Sequence, residues 1–219
     1  MKGDALLAPA PTPFASGLAQ SEGKKRRTIV KPLALALPLA VLAGLAEASH
    51  AYESAYTELD LDACTQVATY ELGADWLCEG YGGVDVFIAE GDLRFLVSYG
   101  ETPKEEYAAR QGFGPFNDLG PRIEWLLDGD GGVAGTILRW FIAQPDYEAP
   151  DHQVLVVTRI APGNTCHVAY IDARANPDAN ALAREAADNL IPGFDCANDR
   201  IELVGDWAIP REVSAALGD

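Results

Sequence analysis

The sequence predicts an α+β domain, a mostly antiparallel β meander with one amphipathic helix packed on the sheet and two disulfides. Three observations support this fold class. Apolar, β-branched segments come in pairs joined by short glycine-containing turns, which is typical of β-hairpins. One alanine-rich segment has helical periodicity, and four cysteines follow a segment typical of an export signal.

Residues 24–51 have the order of a secretory signal peptide. The cations KKRR precede an apolar run, Pro32–Ala46, and two small-x-small sequences that end at Ala48 and Ala51. This run of about 15 residues is shorter than the ~20 residues that a membrane-spanning helix needs. We expect cleavage after Ala48 or Ala51 and a periplasmic or secreted protein, with an uncleaved anchor as the alternative.

The signal divides the chain into an N-terminal extension plus signal peptide, residues 1–51, and a single mature β-rich domain, residues 52–219. The first 23 residues are interpreted as an extended n-region or as the result of an early start codon. The adjacent Arg26 and Arg27 leave both the general secretory and the twin-arginine route open. A mature chain of 168 residues suffices for one domain with its own core.

Charge is distributed unevenly along the chain. Six of the 16 Lys and Arg and three of the 33 Asp and Glu precede residue 52, which leaves 10 bases against 30 acids. Such a negative field repels nucleic acid and anionic lipid, and it favours cationic partners. The expected partner is therefore a protein or an envelope ligand, and it can be cationic. Binding of nucleic acid is not expected. No stable membrane span is expected after cleavage.

The cysteines at positions 64, 78, 166 and 196 are an even set, which in an oxidising compartment indicates two disulfides. Three connectivities exist, and we favour the local pairs Cys64–Cys78 and Cys166–Cys196. A zinc site is the alternative interpretation. It is disfavoured because the sequence has no CxxC spacing and the mature region has only His152 and His167. No metal or other cofactor is expected.

The segment Tyr56–Ala63 alternates apolar and acidic residues, which predicts a half-buried strand. Its acids Glu58, Asp60 and Asp62 would share one face, as a solvated surface or, alternatively, as a cation site. The following aromatic and glycine-rich segment, residues 76–83, is predicted to be a loop. Either Trp76 and Tyr81 face a ligand from this loop, or Trp76 packs on the disulfide while the glycines form a turn with positive φ.

The segments Val84–Ile88 and Leu93–Tyr99 flank Ala89–Asp92 and predict a hairpin. A short helical segment is expected at Pro103–Arg110. The loop Gln111–Pro121 follows, rich in Gly, Pro and Phe, and is long enough to be a functional loop or a cover over one end of the sheet. The candidate ligand-contacting residues are Trp76 and Tyr81 of the first aromatic segment and Phe113 and Phe116 of this loop.

Two further hairpins are predicted. The first joins Ile123–Leu127 to Val133–Ala143 across DGDGG, and the second joins Val154–Ile160 to Cys166–Asp172 across Pro162-Gly163-Asn164. The DGDGG turn begins like a calcium loop. It lacks the later ligands and the glutamate at position 12, so a glycine turn is the better interpretation.

One clear helix is predicted at Pro177–Leu190, with Asn176 as N-cap and Pro177 at the first helical position. Its apolar residues recur at helical spacing and are rich in alanine, which indicates close packing against the sheet. This stripe consists of Ala179, Leu182, Ala183, Ala186, Ala187 and Leu190. A final strand is expected at Ile201–Val204.

No GxSxG, HExxH, Walker or strand-to-helix GxGxxG motif is present. His167 is a candidate base that Asp172 would orient, although a histidine on a strand is more often a hydrogen-bonded part of the sheet. Paired carboxylates can hydrolyse glycosides, and Glu90 with Asp92 and Glu79 with Asp85 are such pairs in sequence, although close pairs arise by chance among 30 acids. The mature region has nine arginines against one lysine, and guanidinium groups suit planar recognition of carboxylates.

Five segments together resemble a family of uncharacterised exported bacterial proteins. They are YTELDLDAC (Tyr56–Cys64), AEGDLR (Ala89–Arg94), FNDLGPRIEW (Phe116–Trp125), VLVVTR (Val154–Arg159) and CHVAYIDARANPDANAL (Cys166–Leu182). The resemblance covers most of the mature region. It implies export and the same two cysteine pairs, and it supplies neither an activity nor a functional residue.

We therefore expect an exported, non-catalytic binding or interaction module of the periplasm or cell envelope, acting through its sheet face and the loop Gln111–Pro121. Inhibition of a cationic enzyme is one form of this function, suggested by charge complementarity. The alternative is a small envelope hydrolase with a carboxylate-based or His167-based site. The catalytic residues, the ligand and the oligomeric state cannot be predicted from the sequence.

Overall fold

The computed structural model describes residues 51–146, 148–210 and 213. The predicted signal segment and N-terminal extension lie outside the described residues, apart from Ala51. Within the described ranges, no helix is long and apolar enough to cross a membrane.

Ten strands form in the described chain. In order they are β1 (Glu53–Glu58), β2 (Thr65–Tyr70), β3 (Gly73–Glu79), β4 (Asp85–Gly91), β5 (Arg94–Gly100), β6 (Asn117–Leu127), β7 (Val133–Ile142), β8 (His152–Arg159), β9 (Cys166–Asp172) and β10 (Glu202–Leu203). The helix α1 spans Ala179–Leu190. Short 3-10 turns occur at Leu61–Ala63, Tyr81–Gly83, Pro103–Glu105, Tyr107–Arg110 and Ile191–Gly193.

The strands form two sheets. A six-stranded sheet has the order β1-β6-β7-β8-β9-β10, and a four-stranded sheet has the order β2-β3-β4-β5. All neighbouring strands are antiparallel except β9 and β10, which are parallel. The predicted α+β class and its three hairpins, β4–β5, β6–β7 and β8–β9, are confirmed. The division of the strands between two sheets was not predicted.

The main core lies between the two sheets. Alternate residues of β4, β5, β6, β7 and β8 point into it, as the pleat of a strand requires. Val86, Ile88 and Tyr99 of the four-stranded sheet meet Trp125 and Trp140 of the six-stranded sheet, and all five are at most 1% exposed. Tyr99 and Trp125 make an edge-to-face contact with ring centroids 5.7 Å apart.

The opposite face of the six-stranded sheet packs against α1. The predicted alanine stripe is confirmed, because Ala183 and Ala187 are 0% exposed and contact a second core that includes Val157 and Ile171. Alanine has no side chain beyond Cβ, so the helix approaches the sheet closely. The molecule therefore has three layers, which are the four-stranded sheet, the six-stranded sheet and the helix.

Both favoured disulfides form. Cys64 bonds to Cys78, 14 residues apart, and Cys166 bonds to Cys196, 30 residues apart. The first joins the 3-10 turn before β2 to strand β3. The second ties the segment after α1 back to the first residue of β9.

Several predicted element boundaries were wrong, including the end of the first strand and the start of the helix. The first strand ends at Glu58, because the Asp60 carboxylate accepts the backbone N–H of Asp62 at 3.1 Å and begins a 3-10 turn. Glu58, Asp60 and Asp62 therefore do not share a strand face. The helix starts at Ala179 instead of Pro177, with Asp178 at the N-cap position. The Asn176 side chain, predicted to be the cap, instead donates to the carbonyls of Asp172 and Asp206.

The predicted helical segment Pro103–Arg110 is two 3-10 turns separated by Glu106, whose backbone is extended. The Glu106 carboxylate accepts the backbone N–H groups of Gly163 and Thr165 at 2.7 and 3.0 Å. These long-range bonds hold the residue in the extended conformation and override its local helical preference.

Candidate binding groove

The loop Gln111–Pro121 is anchored in the core by one of its two phenylalanines. Phe113 is 4% exposed, and its ring centroid lies 5.3 Å from that of Trp140 and 5.0 Å from that of Tyr170. Gly112 allows this approach, since a Cβ there would lie 2.6 Å from Leu96 Cδ2 and 3.2 Å from the Phe95 carbonyl oxygen. Phe113 is thus a structural anchor between the sheets.

Asn117 fixes the outer part of the same loop. Its amide nitrogen donates to the carbonyls of Phe113 and Pro115, and its amide oxygen accepts the Phe95 N–H at 3.0 Å. Its backbone N–H donates to the Leu93 carbonyl, and β6 begins at this residue. The predicted loop therefore ends at Phe116, five residues earlier than expected, and its backbone is held from both sides.

Arg94 joins this loop to the β4–β5 turn. Its Nε donates to the Gly114 carbonyl at 2.7 Å, and its Nη1 donates to the Asp92 carboxylate at 2.7 Å. The guanidinium carbon lies 4.9 Å from the ring centroid of Phe116, which is a cation–π distance. Phe116 is 38% exposed, so the loop presents an aromatic ring beside a cation at the surface.

Two concave surfaces meet at Arg94, and together they form what we call the Arg94 groove. The larger, of about 640 Å³, is lined by Tyr70, Asp75, Ala89, Glu90, Gly91, Arg94, Phe95, Leu96, Arg110, Gly112, Phe113 and Gly114. The smaller, of about 550 Å³, is lined by Arg94, Pro115, Phe116, Ala143, Gln144, Pro145, His152, Pro210 and Val213. Most of the lining is apolar, with a few charged groups, as is usual for ligand sites.

A buried carboxylate lies at the larger concave surface. Asp75 is 4% exposed and accepts hydrogen bonds from the Tyr70 hydroxyl at 2.9 Å and from Lys104 Nζ at 2.8 Å. The hydrogen bond to Asp75 raises the pKa of both Tyr70 and Lys104. Asp75 therefore holds the Tyr70 hydroxyl and the Lys104 ammonium group in place and fixes this wall of the groove.

The other two predicted aromatic residues lie elsewhere. Trp76 is on β3 instead of a loop, and it packs, half-buried, against the core that contains the disulfide residue Cys78. Tyr81 lies in a 3-10 turn with its ring centroid 6.4 Å from that of Trp125. Gly82, in this turn, has a positive φ of 65°. Of the four predicted contact residues, the structure therefore brings Phe113 and Phe116 together at the groove.

His167 lies deep in the main core. It is 1% exposed, and its Nδ1 is 2.8 Å from the Tyr170 hydroxyl. A β-bulge in the β8–β9 pairing places these two residues, three apart, on the same face of the sheet. Burial lowers the pKa of His167 to about 3. The Asp172 carboxylate instead accepts backbone N–H groups of Arg174, Ala175 and Ala208.

The carboxylates of the two suggested pairs take part in a turn, in an ion pair and in strand pairing. Glu90 accepts the Leu93 N–H at 2.7 Å, and Asp92 binds Arg94. Glu79 and Asp85 are directly opposite each other at the end of the β3–β4 pairing. In the DGDGG turn, Asp128 accepts the N–H groups of Asp130 and Gly132. Among the described residues, no group of three His, Cys, Asp or Glu has an arrangement that could hold a metal ion.

Sequence reasoning missed Arg94, Asp75, Lys104 and Tyr70 as parts of the groove. Arg94 lies in the AEGDLR segment, next to a predicted turn, but its contact with Gly114 joins residues 20 apart. Asp75 and Lys104 are 29 residues apart. A local sequence pattern cannot predict such contacts, because they form only when segments that are distant in sequence fold against each other.

Comparison of the chain with protein-family models, with curated proteins and with solved structures gives no match.

Proposed function

We propose that this protein is an exported, non-catalytic binding module of the periplasm or cell envelope, and that the Arg94 groove is its binding surface. One observation supports this most. Phe116 stands exposed beside Arg94 on a loop whose backbone is held by Phe113 and Asn117. Phenylalanine and arginine are both enriched in protein interfaces, and a side chain on a rigid backbone loses less entropy on binding.

The groups in the groove support binding over catalysis. The Asp75 carboxylate is occupied by Tyr70 and Lys104, and Asp92 is occupied by Arg94. A general base has to reach a substrate proton, and His167 is buried between the sheets with its Nδ1 on Tyr170. The His167-based form of the hydrolase alternative is therefore disfavoured, because this imidazole does not reach the surface.

The proposed partner is a protein that inserts apolar side chains on either side of Phe116. The mature region carries 10 bases and 30 acids, so a cationic partner is favoured at long range. Inhibition of a cationic enzyme is the specific form of this proposal. Electrostatic steering of this kind weakens as salt screens the charges.

The test is a pull-down from periplasmic extract with the purified, oxidised mature protein at low and high salt, using wild type, Phe116→Ala and Leu203→Ala. Leu203, on β10, is the matched control because it is 40% exposed, against 38% for Phe116, and does not line the groove. We expect a salt-sensitive partner that Phe116→Ala loses and Leu203→Ala retains. A partner captured equally by both variants would assign binding to another surface.

A further inference from the structure

A second concave surface lies on the face of the six-stranded sheet that α1 covers only in part. It has a volume of about 340 Å³ and is lined by Tyr56, Arg122, Glu124, Ile137, Arg139, Leu155, Asn180 and Arg184. We call it the arginine pocket. Its floor is formed by β6, β7 and β8, and its walls are β1 on one side and the start of α1 on the other. None of these residues lines the Arg94 groove.

One wall of the pocket is a rigid ion pair. Arg184 of α1 donates to both carboxylate oxygens of Glu124, at 2.6 and 3.1 Å, and also to the Tyr56 hydroxyl at 3.1 Å. The Ser54 hydroxyl donates to the same Glu124 carboxylate at 2.6 Å. Glu124 is 8% exposed, and the hydrogen bond to it raises the pKa of Arg184. Arg184 and Glu124 are therefore fully engaged with each other and shape the pocket.

The floor carries a cation of a different kind. Arg139 is half-buried on β7, and its Nη1 donates to the neutral Gln153 amide oxygen at 2.9 Å. No ion pair links Arg139 to a carboxylate of the described residues. Burial lowers the pKa of this guanidinium. A half-buried cation without a counter-ion is unfavourable, and a bound anion would compensate it.

Arg122 adds a third guanidinium at the rim. It pairs with Glu58 at 3.2 Å, but both side chains are more than 60% exposed, so this pair contributes little and can open. The lining thus has three guanidinium groups against one carboxylate, a formal charge of +2. Three of the ten cations of the acidic mature region converge here, which concentrates positive potential at one small concave site.

We propose that the arginine pocket binds a small ligand through a carboxylate group. The free edge of Arg139 would donate to the carboxylate in a planar, bidentate arrangement, as Arg184 already does with Glu124, and Arg122 would turn from Glu58 to the ligand. The Asn180 amide, in the first turn of α1, is available as a further polar contact at the wall. The volume fits a molecule of the size of a di- or tricarboxylate.

The test is a titration of the ¹⁵N-labelled oxidised protein with citrate and, in separate samples at equal ionic strength, with inorganic phosphate. The variants are Arg139→Gln, Arg139→Lys and the control Arg200→Gln, which removes an exposed arginine outside the pocket. We expect citrate to shift backbone amides of β7 and of the first turn of α1. The Kd should rise by about 10–100-fold in Arg139→Gln, as for loss of a charge-assisted hydrogen-bonded pair.

The lysine variant separates planar recognition from charge alone. Arg139→Lys retains the positive charge and loses the planar guanidinium that donates two parallel hydrogen bonds, so we expect it to weaken citrate binding nearly as much as Arg139→Gln does. The Kd of Arg200→Gln should stay within about twofold of the wild-type value. Four results would each overturn the proposal. They are the absence of citrate binding at millimolar concentration, equal losses in Arg139→Gln and Arg200→Gln, full retention in Arg139→Lys, and phosphate binding as tight as that of citrate.

Discussion

His167 shows how a polar residue becomes part of an apolar core. Its ring nitrogen meets the Tyr170 hydroxyl, and its ring packs edge-to-face on Trp140 with centroids 6.2 Å apart. Both neighbours are at most 1% exposed, so an imidazolium there would lose its hydration without gaining a counter-ion. Neutral His167 is therefore the form that the fold stabilises.

This burial predicts a pH dependence of stability. An unfolded histidine has a pKa near 6.5, whereas the pKa of His167 in the folded protein is about 3. Between these values the unfolded chain binds more protons than the folded protein. The free energy of unfolding should therefore fall as pH is lowered from about 6.5 toward 3, by up to about 1.4 kcal/mol per pH unit from this residue.

The measurement is urea unfolding of wild type and His167→Gln at several pH values between 7.5 and 4.5. Carboxylates contribute equally to both proteins and cancel in the difference. We expect wild type to be the more stable at pH 7.5 and its advantage to shrink steadily on acidification. His152→Gln serves as the matched control, because it removes a histidine and retains His167. A difference between wild type and His167→Gln that is independent of pH would contradict the assigned pKa.

At the scale of elements, the loop Gln111–Pro121 combines two phenylalanines with opposite roles. Phe113 is 4% exposed, so Phe113→Ala should lower the free energy of unfolding by about 3–5 kcal/mol. Phe116 is 38% exposed, so Phe116→Ala should change it by less than about 1 kcal/mol. Equilibrium urea unfolding of both variants checks this. Similar losses in the two would mean that Phe116 supports the fold.

The β4–β5 turn contains a second testable feature. Asp92 and Leu93 both have positive φ, 51° and 61°, which matches the type I′ hairpin turn that strand twist favours. Leucine adopts this conformation at a cost, and Leu93 is 60% exposed, so its side chain gains little from packing. Leu93→Gly should therefore raise the free energy of unfolding by about 0.5–1 kcal/mol.

The control for the turn is Leu72→Gly. Leu72 is 67% exposed in the neighbouring β2–β3 turn and does not have a positive φ. There glycine relieves no strain and only adds freedom to the unfolded chain, so this variant should be neutral or less stable than wild type. Stabilisation of both variants would indicate that removal of an exposed leucine, not the backbone conformation, is responsible.

The sequence predicts the hairpins well because their signal is local. The alternation of apolar and polar residues indicates which face each strand buries, and short glycine-containing turns indicate where two strands form a hairpin. The helix α1 is predicted by its stripe of small apolar residues. The misassigned segments depend on distant contacts. Glu106 is extended because it caps the loop at Gly163 and Thr165, some 57 and 59 residues away. The groove was predicted only through Phe113 and Phe116, since Asp75 and Arg94 join it through long-range bonds.

At the scale of the whole molecule, the three layers separate the two proposed binding surfaces. The larger concave surface of the Arg94 groove lies against the four-stranded sheet, whereas the arginine pocket lies on the helix side of the six-stranded sheet. The buried side chains of the main core lie between them. The two surfaces can therefore be altered independently, because substitutions more than about 10 Å apart are usually additive.

The two disulfides lie in different layers and close loops of different length, so we expect them to contribute unequally to the free energy of unfolding. Cys64–Cys78 closes a separation of 14 residues within the four-stranded part, and Cys166–Cys196 closes 30 residues between β9 and the segment after α1. Chain entropy alone predicts losses of about 3 and about 4 kcal/mol on their removal. Cys166 is also 0% exposed, so its replacement adds a packing loss beside α1.

The double variants Cys64→Ala/Cys78→Ala and Cys166→Ala/Cys196→Ala, compared with oxidised wild type by urea unfolding, should show the larger loss for the second pair. Amide exchange should then increase first in α1, because this staple holds the chain that leaves the helix. A larger loss for the Cys64–Cys78 pair would mean that the four-stranded sheet, rather than the helix layer, limits the stability of the fold.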